Sequence, residues 1–124
     1  MTIKELYAAV DADYDQAVRV LRMDKLIDKH IRKFPANGIF AELAQAGESM
    51  DESRLFEGAH AIKGVCANLG LVKIASLASD IAEEFRPGNE RKLSDGEVRQ
   101  KLDEIDALYR KTVEGIRQYE QTAV

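Results

Sequence analysis

Residues 55–71 read LFEGAHAIKGVCANLGL, and this stretch decides how the chain folds. A helix turns by about 100° per residue, which places four of the less polar side chains in one sector, namely Leu55, Ile62, Cys66 and Leu69. The other side carries Phe56, His60, Lys63, Gly64 and Ala67. The stretch therefore predicts a helix that runs to about Leu69 with one face in a core. Gly70 can adopt the left-handed conformation that ends such a helix.

Helical spacing also recurs on both sides of this stretch. Apolar residues repeat at i, i+3, i+4 and i+7, and no window shows the strict alternation of a half-buried strand. The pattern predicts an all-α protein with an antiparallel four-helix bundle whose helices start at about residues 37, 50, 71 and 95. We expect residues 1–124 to form a single domain, with additional short N-terminal helices in residues 1–35 and the bundle in residues 37–120.

Residues that favour helix ends mark the boundaries between these helices. Two serines precede a glutamate by three positions and predict capping boxes, namely Ser49 with Glu52 and Ser94 with Glu97. Gly47 is expected to end the helix before the first pair, and Pro87-Gly88-Asn89 is expected to end the helix before the second pair. Nearer the N-terminus, Pro35 stops an apolar stripe that consists of Leu26, Ile27, Ile31 and Phe34.

The overall charge and the single cysteine exclude several classes of protein. Lys and Arg number 18 against 22 Asp and Glu, a net charge of −4, so we expect no binding to nucleic acid. One cysteine forms no internal disulfide, which indicates a reducing compartment. No apolar run approaches the ~20 residues that span a bilayer, and the first residues lack the apolar core of a signal peptide. We therefore expect a cytoplasmic protein with no attachment to membranes.

The outward face of residues 55–71 is unusual for a solvated surface, because it combines a histidine and a lysine with a glycine. Glycine inside a helix costs about 1 kcal/mol relative to alanine, so stability explains Gly64 poorly. One turn after His60, this glycine leaves the imidazole open to a bulky partner. Lys63, at i+3, can neutralise the charge of a phosphoryl group attached to the imidazole. Since neutral imidazole is a competent nucleophile near physiological pH, the face offers a nucleophile, a counter-charge and steric access.

These residues resemble the motif of the histidine-containing phosphotransfer (HPt) family. That motif combines a small residue and a histidine with an apolar residue, lysine and glycine, and a later Leu-Gly ends the helix. The corresponding segments here are Ala59-His60-Ala61-Ile62-Lys63-Gly64 and Ala67-Asn68-Leu69-Gly70. The resemblance covers most of the chain, and the N-terminal helices are similar to those of small free-standing bacterial members.

The resemblance implies a phosphocarrier without kinase activity of its own. Receiver domains of response regulators or hybrid histidine kinases would be the partners, and they would exchange a phosphoryl group between their aspartate and Nε2 of His60. Lys63 would serve as the charge partner of the phosphate and Gly64 would give clearance. The docking surface would include Phe56, Ala59 and Ala67. The family pattern further implies a monomer with no cofactor of its own, and Mg²⁺ held by the receiver.

Other interpretations of the same residues remain open. A non-catalytic docking module for a receiver or kinase would keep the motif without carrying phosphate. Glu57 and His60 have the E-x-x-H spacing of di-iron bundles, but those need a second such motif and two further glutamates. His30 lies on or beside an apolar stripe, and we expect it to be packed or half-buried. Cys66 is expected to face the core as a small apolar residue.

Overall fold

The computed structural model of the chain describes residues 1–122, which are helical without a strand. Seven α-helices follow one another in this part of the chain, and a short 3-10 helix over Phe34–Ala36 follows the third. They are α1 Ile3–Ala9, α2 Tyr14–Leu21, α3 Asp24–Lys33, α4 Ile39–Ser49, α5 Glu52–Asn68, α6 Val72–Phe85 and α7 Asp95–Thr122. The all-α prediction is confirmed. None of these described helices is both long enough and apolar enough to cross a membrane.

The four longest helices in the second part of the chain form the predicted bundle. Helices α4 to α7 begin at Ile39, Glu52, Val72 and Asp95, each within two residues of the predicted start. Helices α5 and α6 share the most extensive contact, α4 packs on α5, and α7 packs on α6 and α4. Helix α1 lies against α7, and α2 lies against α3 and α5. The assignment of residues 1–124 to a single domain stays a prediction.

The inward face of α5 is the one that its sequence predicts. Leu55, Ile62 and Cys66 are fully buried and Leu69 is nearly so. Burying an aliphatic side chain of this size contributes about 1.5–3 kcal/mol to folding. Burial also raises the pKa of the Cys66 thiol to about 12, so this thiol stays protonated and behaves as an apolar group.

The predicted boundary between α4 and α5 is wrong by a few residues. Ser49 belongs to the last turn of α4, and its hydroxyl lies 3.4 Å from the carbonyl oxygen of Gln45. The N-cap of α5 is Asp51, whose carboxylate accepts a hydrogen bond of 3.2 Å from the amide of Arg54. An aspartate caps a helix as well as a serine does, and Asp51 directly precedes the helical residues.

Gly47 does not end α4 as predicted, because the helix continues to Ser49 and Met50 adopts the left-handed conformation after it. The glycine has a packing role instead. A Cβ atom at Gly47 would lie 2.6 Å from Cδ1 of Leu102, so a larger residue there would require the Leu102 side chain to shift. The second predicted capping box is confirmed by hydrogen bonds in both directions between Ser94 and Glu97, of 3.1 and 3.2 Å.

The connection between α6 and α7 is held by a buried carboxylate. Helix α6 ends at Phe85, before Pro87-Gly88-Asn89, as predicted. The Glu84 side chain is largely buried and accepts hydrogen bonds from the backbone amides of Lys92 and Leu93 and from Nε of Arg91. Burial favours a raised pKa for this carboxyl, but the backbone hydrogen bonds and Arg91 outweigh it and hold the pKa below its usual range.

Replacing Glu84 with Gln should lower the free energy of unfolding at pH 7 by about 1–3 kcal/mol, because an amide cannot accept from all three charge-assisted donors. The lowered pKa means that the wild-type carboxylate stabilises the fold above its unfolded pKa of about 4.3. That contribution is lost as the pH falls through the lower folded value. Urea unfolding at pH 7 and pH 3 should therefore show a difference between Glu84→Gln and wild type that shrinks at pH 3. A difference of equal size at both pH values would contradict this explanation.

The N-terminal part of the chain is hydrogen-bonded to backbone carbonyls at the C-terminal end of α5. The Tyr7 hydroxyl donates a buried hydrogen bond of 2.6 Å to the carbonyl of Leu69. The Asp13 amide donates one of 2.8 Å to the carbonyl of Gly70. Gly70 has a φ of +72°, as its place after the helix predicts. Residues far apart in sequence thus fix the terminus of the helix that carries His60.

Candidate functional site

The outward face of α5 presents the predicted site residues to solvent. His60 and Gly64 are exposed, and Phe56, Lys63 and Ala67 are half-buried. All five lie on the side of the helix away from its buried residues, because their positions differ by whole or near-whole turns. The structure therefore brings together the imidazole, the ammonium-bearing side chain and the glycine that the sequence singled out.

Ala59 does not belong to this face, and its predicted place in a docking surface is wrong. Its side chain is fully buried among the core residues of α5. The physical reason is its position, since Ala59 lies one turn after Leu55 and almost one turn before Ile62. Its small size suits packing inside the bundle and gives no access to a partner.

The two glycines of α5 differ in what surrounds them. A Cβ atom at Gly58 would lie 3.4 Å from Cδ1 of Leu43, so this glycine sits at the contact between α5 and α4. A Cβ atom at Gly64 would meet nothing within 4 Å. Packing inside the chain therefore does not require a glycine at position 64, and the space beside the imidazole of His60 stays open.

The imidazole of His60 stacks on the ring of Phe56. The two ring centroids lie 5.7 Å apart and the planes differ by 18°. This is the arrangement expected for an aromatic pair at i and i+4 on one helix face. Phe56 thus restricts the orientation of the imidazole, while His60 as a whole stays exposed to solvent.

Two residues at the end of α6, Glu83 and Arg86, extend the candidate site, and neither was predicted from the sequence. The Arg86 guanidinium carbon lies 5.5 Å from the centroid of the Phe56 ring. Arg86 also donates hydrogen bonds to the Glu83 carboxylate, from Nε at 3.1 Å and from a terminal nitrogen at 2.6 Å. The only signal for them in the sequence is the E-x-x-R spacing, which predicts an ion pair but does not place it beside another helix.

The charges at this end of α6 influence one another. Hydrogen bonds from Arg86 hold the pKa of the Glu83 carboxyl below its usual range, and the positive charges of Arg86 and Lys63 add to that lowering. The same ion pair raises the pKa of Arg86. The positive charge of Lys63 on α5 thus acts on Glu83 across the contact between α5 and α6.

His30 lies on the surface, and its predicted packed or half-buried position is wrong. The core side of α3 is formed by Ile27 and Ile31, and the helix turns both His30 and Leu26 outward. His30 lines a surface cavity of about 380 Å³ beside the C-terminal end of α5, together with Lys33 and other residues. The predicted stripe therefore contained one residue, Leu26, that does not face the core.

Within residues 1–122, no three His, Cys, Asp or Glu side chains come together in a group that could hold a metal ion. Glu57 and His60 lie one turn apart on the exposed side of α5 rather than inside the bundle. This position differs from that of the inward-facing di-iron ligands in helical bundles.

Comparison with known proteins agrees with this geometry. The family model of the Hpt domain matches residues 36–113, which include all of α4, α5 and α6 and most of α7. No curated protein matches the chain, and no solved structure matches it. The matched region spans more than half of the chain and contains the whole histidine face of α5. The chain therefore belongs to the Hpt domain family.

Proposed function

We propose that this protein relays a phosphoryl group between aspartates of receiver domains and His60. Members of the Hpt family take part in phosphorelays as phosphocarriers rather than kinases, and they generally interact with receiver domains. The observation that carries the proposal is the exposed imidazole of His60 beside the open space at Gly64. This arrangement lets a second protein bring its own phosphorylated side chain up to the ring.

The chemistry requires little from this chain beyond access and charge. The lone pair of Nε2 of His60 attacks phosphorus, and the bond from phosphorus to the aspartyl oxygen breaks with its electron pair left on the receiver carboxylate. The proton on Nδ1 is released to water after transfer. Lys63 lies one turn from His60 and offsets the negative charge of the bound phosphoryl group. In this proposal the receiver supplies Mg²⁺, and the chain needs no cofactor of its own.

The proposed partners are receiver domains of response regulators or hybrid histidine kinases. We propose that this protein binds them as a monomer in the cytoplasm. Phe56 and Ala67 flank His60 along α5 and form part of the proposed docking surface. A buried free cysteine, Cys66, is in keeping with a reducing compartment. Nucleic acid is not a proposed partner, since the net charge is −4.

A transfer assay with phosphorylated receiver domains tests this function. The purified chain should take up phosphate from at least one receiver of a panel, in an acid-labile and base-stable form typical of phosphohistidine. Binding to receivers in the same panel without any uptake of phosphate would instead establish the non-catalytic docking module. Bound metal found by elemental analysis of the purified protein would support the third interpretation, a metal site at Glu57 and His60.

Replacing Gly64 with Gln should slow phosphotransfer by roughly a hundredfold, because a side chain there keeps the receiver about 1 Å or more from the imidazole. The same change should raise stability by about 0.5–1 kcal/mol, since glycine is a poor helix former. Gly96→Gln in the first turn of α7 is the matched control and should transfer at the wild-type rate. Stopped-flow or quench measurements with one receiver give both rates. Wild-type transfer by the Gly64 variant would contradict the clearance argument.

A further inference from the structure

Glu83 lies where a carboxylate does not favour the helix. It is in the last turn of α6, which contains no basic residue, and the negative end of the helix dipole repels a carboxylate there. The neighbouring Glu84 is explained by its hydrogen bonds to the loop before α7. Glu83 takes no part in that anchor and bonds Arg86 instead.

Stability of the helix end does not account for the pair of Glu83 and Arg86 either. Their side chains are 54% and 43% exposed, and exposed ion pairs contribute little to folding. The end of α6 is already capped, because Nδ2 of Asn89 donates to the carbonyl of Glu83 at 3.0 Å. The backbone N–H of Asn89 also donates to the carbonyl of Arg86 at 3.0 Å.

A continuous set of contacts links this pair to the imidazole. Glu83 holds the guanidinium of Arg86 by two hydrogen bonds, and the guanidinium lies 5.5 Å from the centre of the Phe56 ring. The Phe56 ring in turn stacks on His60 at 5.7 Å. Phe56 therefore links His60 to the ion pair of Arg86 and Glu83, and Lys63, one turn from His60, adds a second positive charge that acts on Glu83.

We propose that Glu83 is a positioning residue that holds Arg86 beside Phe56 and offsets part of the positive charge around His60, so that the phosphoryl group on His60 stays readily transferable. This inference rests on the proposed function and concerns its control. The phosphoryl group adds negative charge to the site when the bond from phosphorus to Nε2 forms and the bond to the aspartyl oxygen breaks. Lys63 and Arg86 stabilise that charge, and Glu83 competes with the phosphoryl group for Arg86.

The test uses the full chain and the small donor phosphoramidate, so that it does not depend on finding a receiver. The compared variants are Glu83→Gln, Arg86→Ala and the matched control Glu114→Gln. Glu114 forms an ion pair with Arg117 at the same E-x-x-R spacing on α7, with similar exposure. Hydrolysis of the phosphohistidine is followed by ³¹P NMR, and the pH titration of the phosphoryl resonance is recorded for each variant.

Glu83→Gln should slow hydrolysis by about two- to fivefold and move the ³¹P titration midpoint to lower pH, because the freed Arg86 favours the more highly charged phosphoryl group. Arg86→Ala should shift both quantities in the opposite direction. In the Arg86→Ala background, Glu83→Gln should have less than half of its original effect. Glu114→Gln should match wild type, and circular dichroism should show unchanged helicity throughout.

The outcomes separate this inference from the proposed function. If wild type is phosphorylated and Glu83→Gln shows the same hydrolysis rate and the same titration midpoint, the role of Glu83 is overturned and the carrier function stands. A shift of the midpoint to higher pH in Glu83→Gln would also overturn it. Wild type that takes up no phosphate from phosphoramidate or from receivers would overturn both proposals.

Discussion

Replacing His60 with Gln is expected to abolish phosphorylation completely and to change the free energy of unfolding by no more than about 0.5 kcal/mol. The glutamine side chain has a similar reach, but its amide nitrogen has no available lone pair with which to attack phosphorus. The fold should persist because His60 is exposed and the buried face of α5 does not include it. Incubation with phosphoramidate and with a cognate phosphorylated receiver measures the first effect, and urea unfolding measures the second.

The second histidine of the chain provides a matched control for this experiment. His30 is also exposed on a helix and has a lysine, Lys33, at i+3. No glycine follows that lysine, however, and no aromatic residue lies one turn before His30. His30→Gln should therefore retain wild-type uptake of phosphate. Acid-labile phosphate on the His60→Gln variant would contradict the assignment of His60 as the phosphoacceptor. Loss of that phosphate from the His30→Gln variant would contradict it as well.

The α5 part of the candidate site could be predicted because its residues lie within one helix. Spacing along a helix determines which side chains share a face, so the positions of His60, Lys63 and Gly64 follow from the sequence alone. The same rule placed Leu55, Ile62 and Cys66 in the core. The same spacing places Ala59 one turn after Leu55 and so in the core, and for this reason the prediction of an exposed docking contact at Ala59 is wrong.

The contributions of other elements could not be predicted in this way. Glu83 and Arg86 reach the site only because α6 packs on α5, and their sequence distance from His60 carries no information about that contact. His30 was misplaced for a related reason, since an apolar stripe of four residues left the edge of the buried sector undefined. The helix boundaries were predicted to within a few residues because serine, aspartate and glycine all favour helix ends and compete for the same positions.

The attachment of the N-terminal helices was likewise invisible in the sequence. The hydroxyl of Tyr7 and the amide of Asp13 bond to carbonyls of Leu69 and Gly70, more than fifty residues later. The acceptors are backbone carbonyls, which every residue carries, so only the packed structure shows which of them a given donor reaches. Their consequence is that the helix carrying His60 ends against a segment that the Hpt family model does not include.

Replacing Gly70 with Ala is expected to lower the free energy of unfolding by about 3 kcal/mol or more, the largest loss of stability among these variants. Two effects add together. The φ of +72° costs a residue with a Cβ atom about 1–2 kcal/mol. The new Cβ would also lie 2.1 Å from the carbonyl oxygen of Asp13, so the N-terminal segment must move away. That movement strains or breaks the hydrogen bond from the Asp13 amide to the carbonyl of Gly70.

Gly88→Ala separates these two effects, because Gly88 has a φ of +93° but nothing lies within 4 Å of its Cβ position. The Gly88 variant should lose only the conformational part, about 1–2 kcal/mol. Urea unfolding of both variants gives the difference, and hydrogen exchange of the amide of Asp13 shows whether the N-terminal segment has moved. Equal losses in the two variants would mean that the contact with Asp13 contributes nothing. A larger loss at Gly70, with faster exchange at Asp13, would show that the N-terminal helices hold the end of α5 in place.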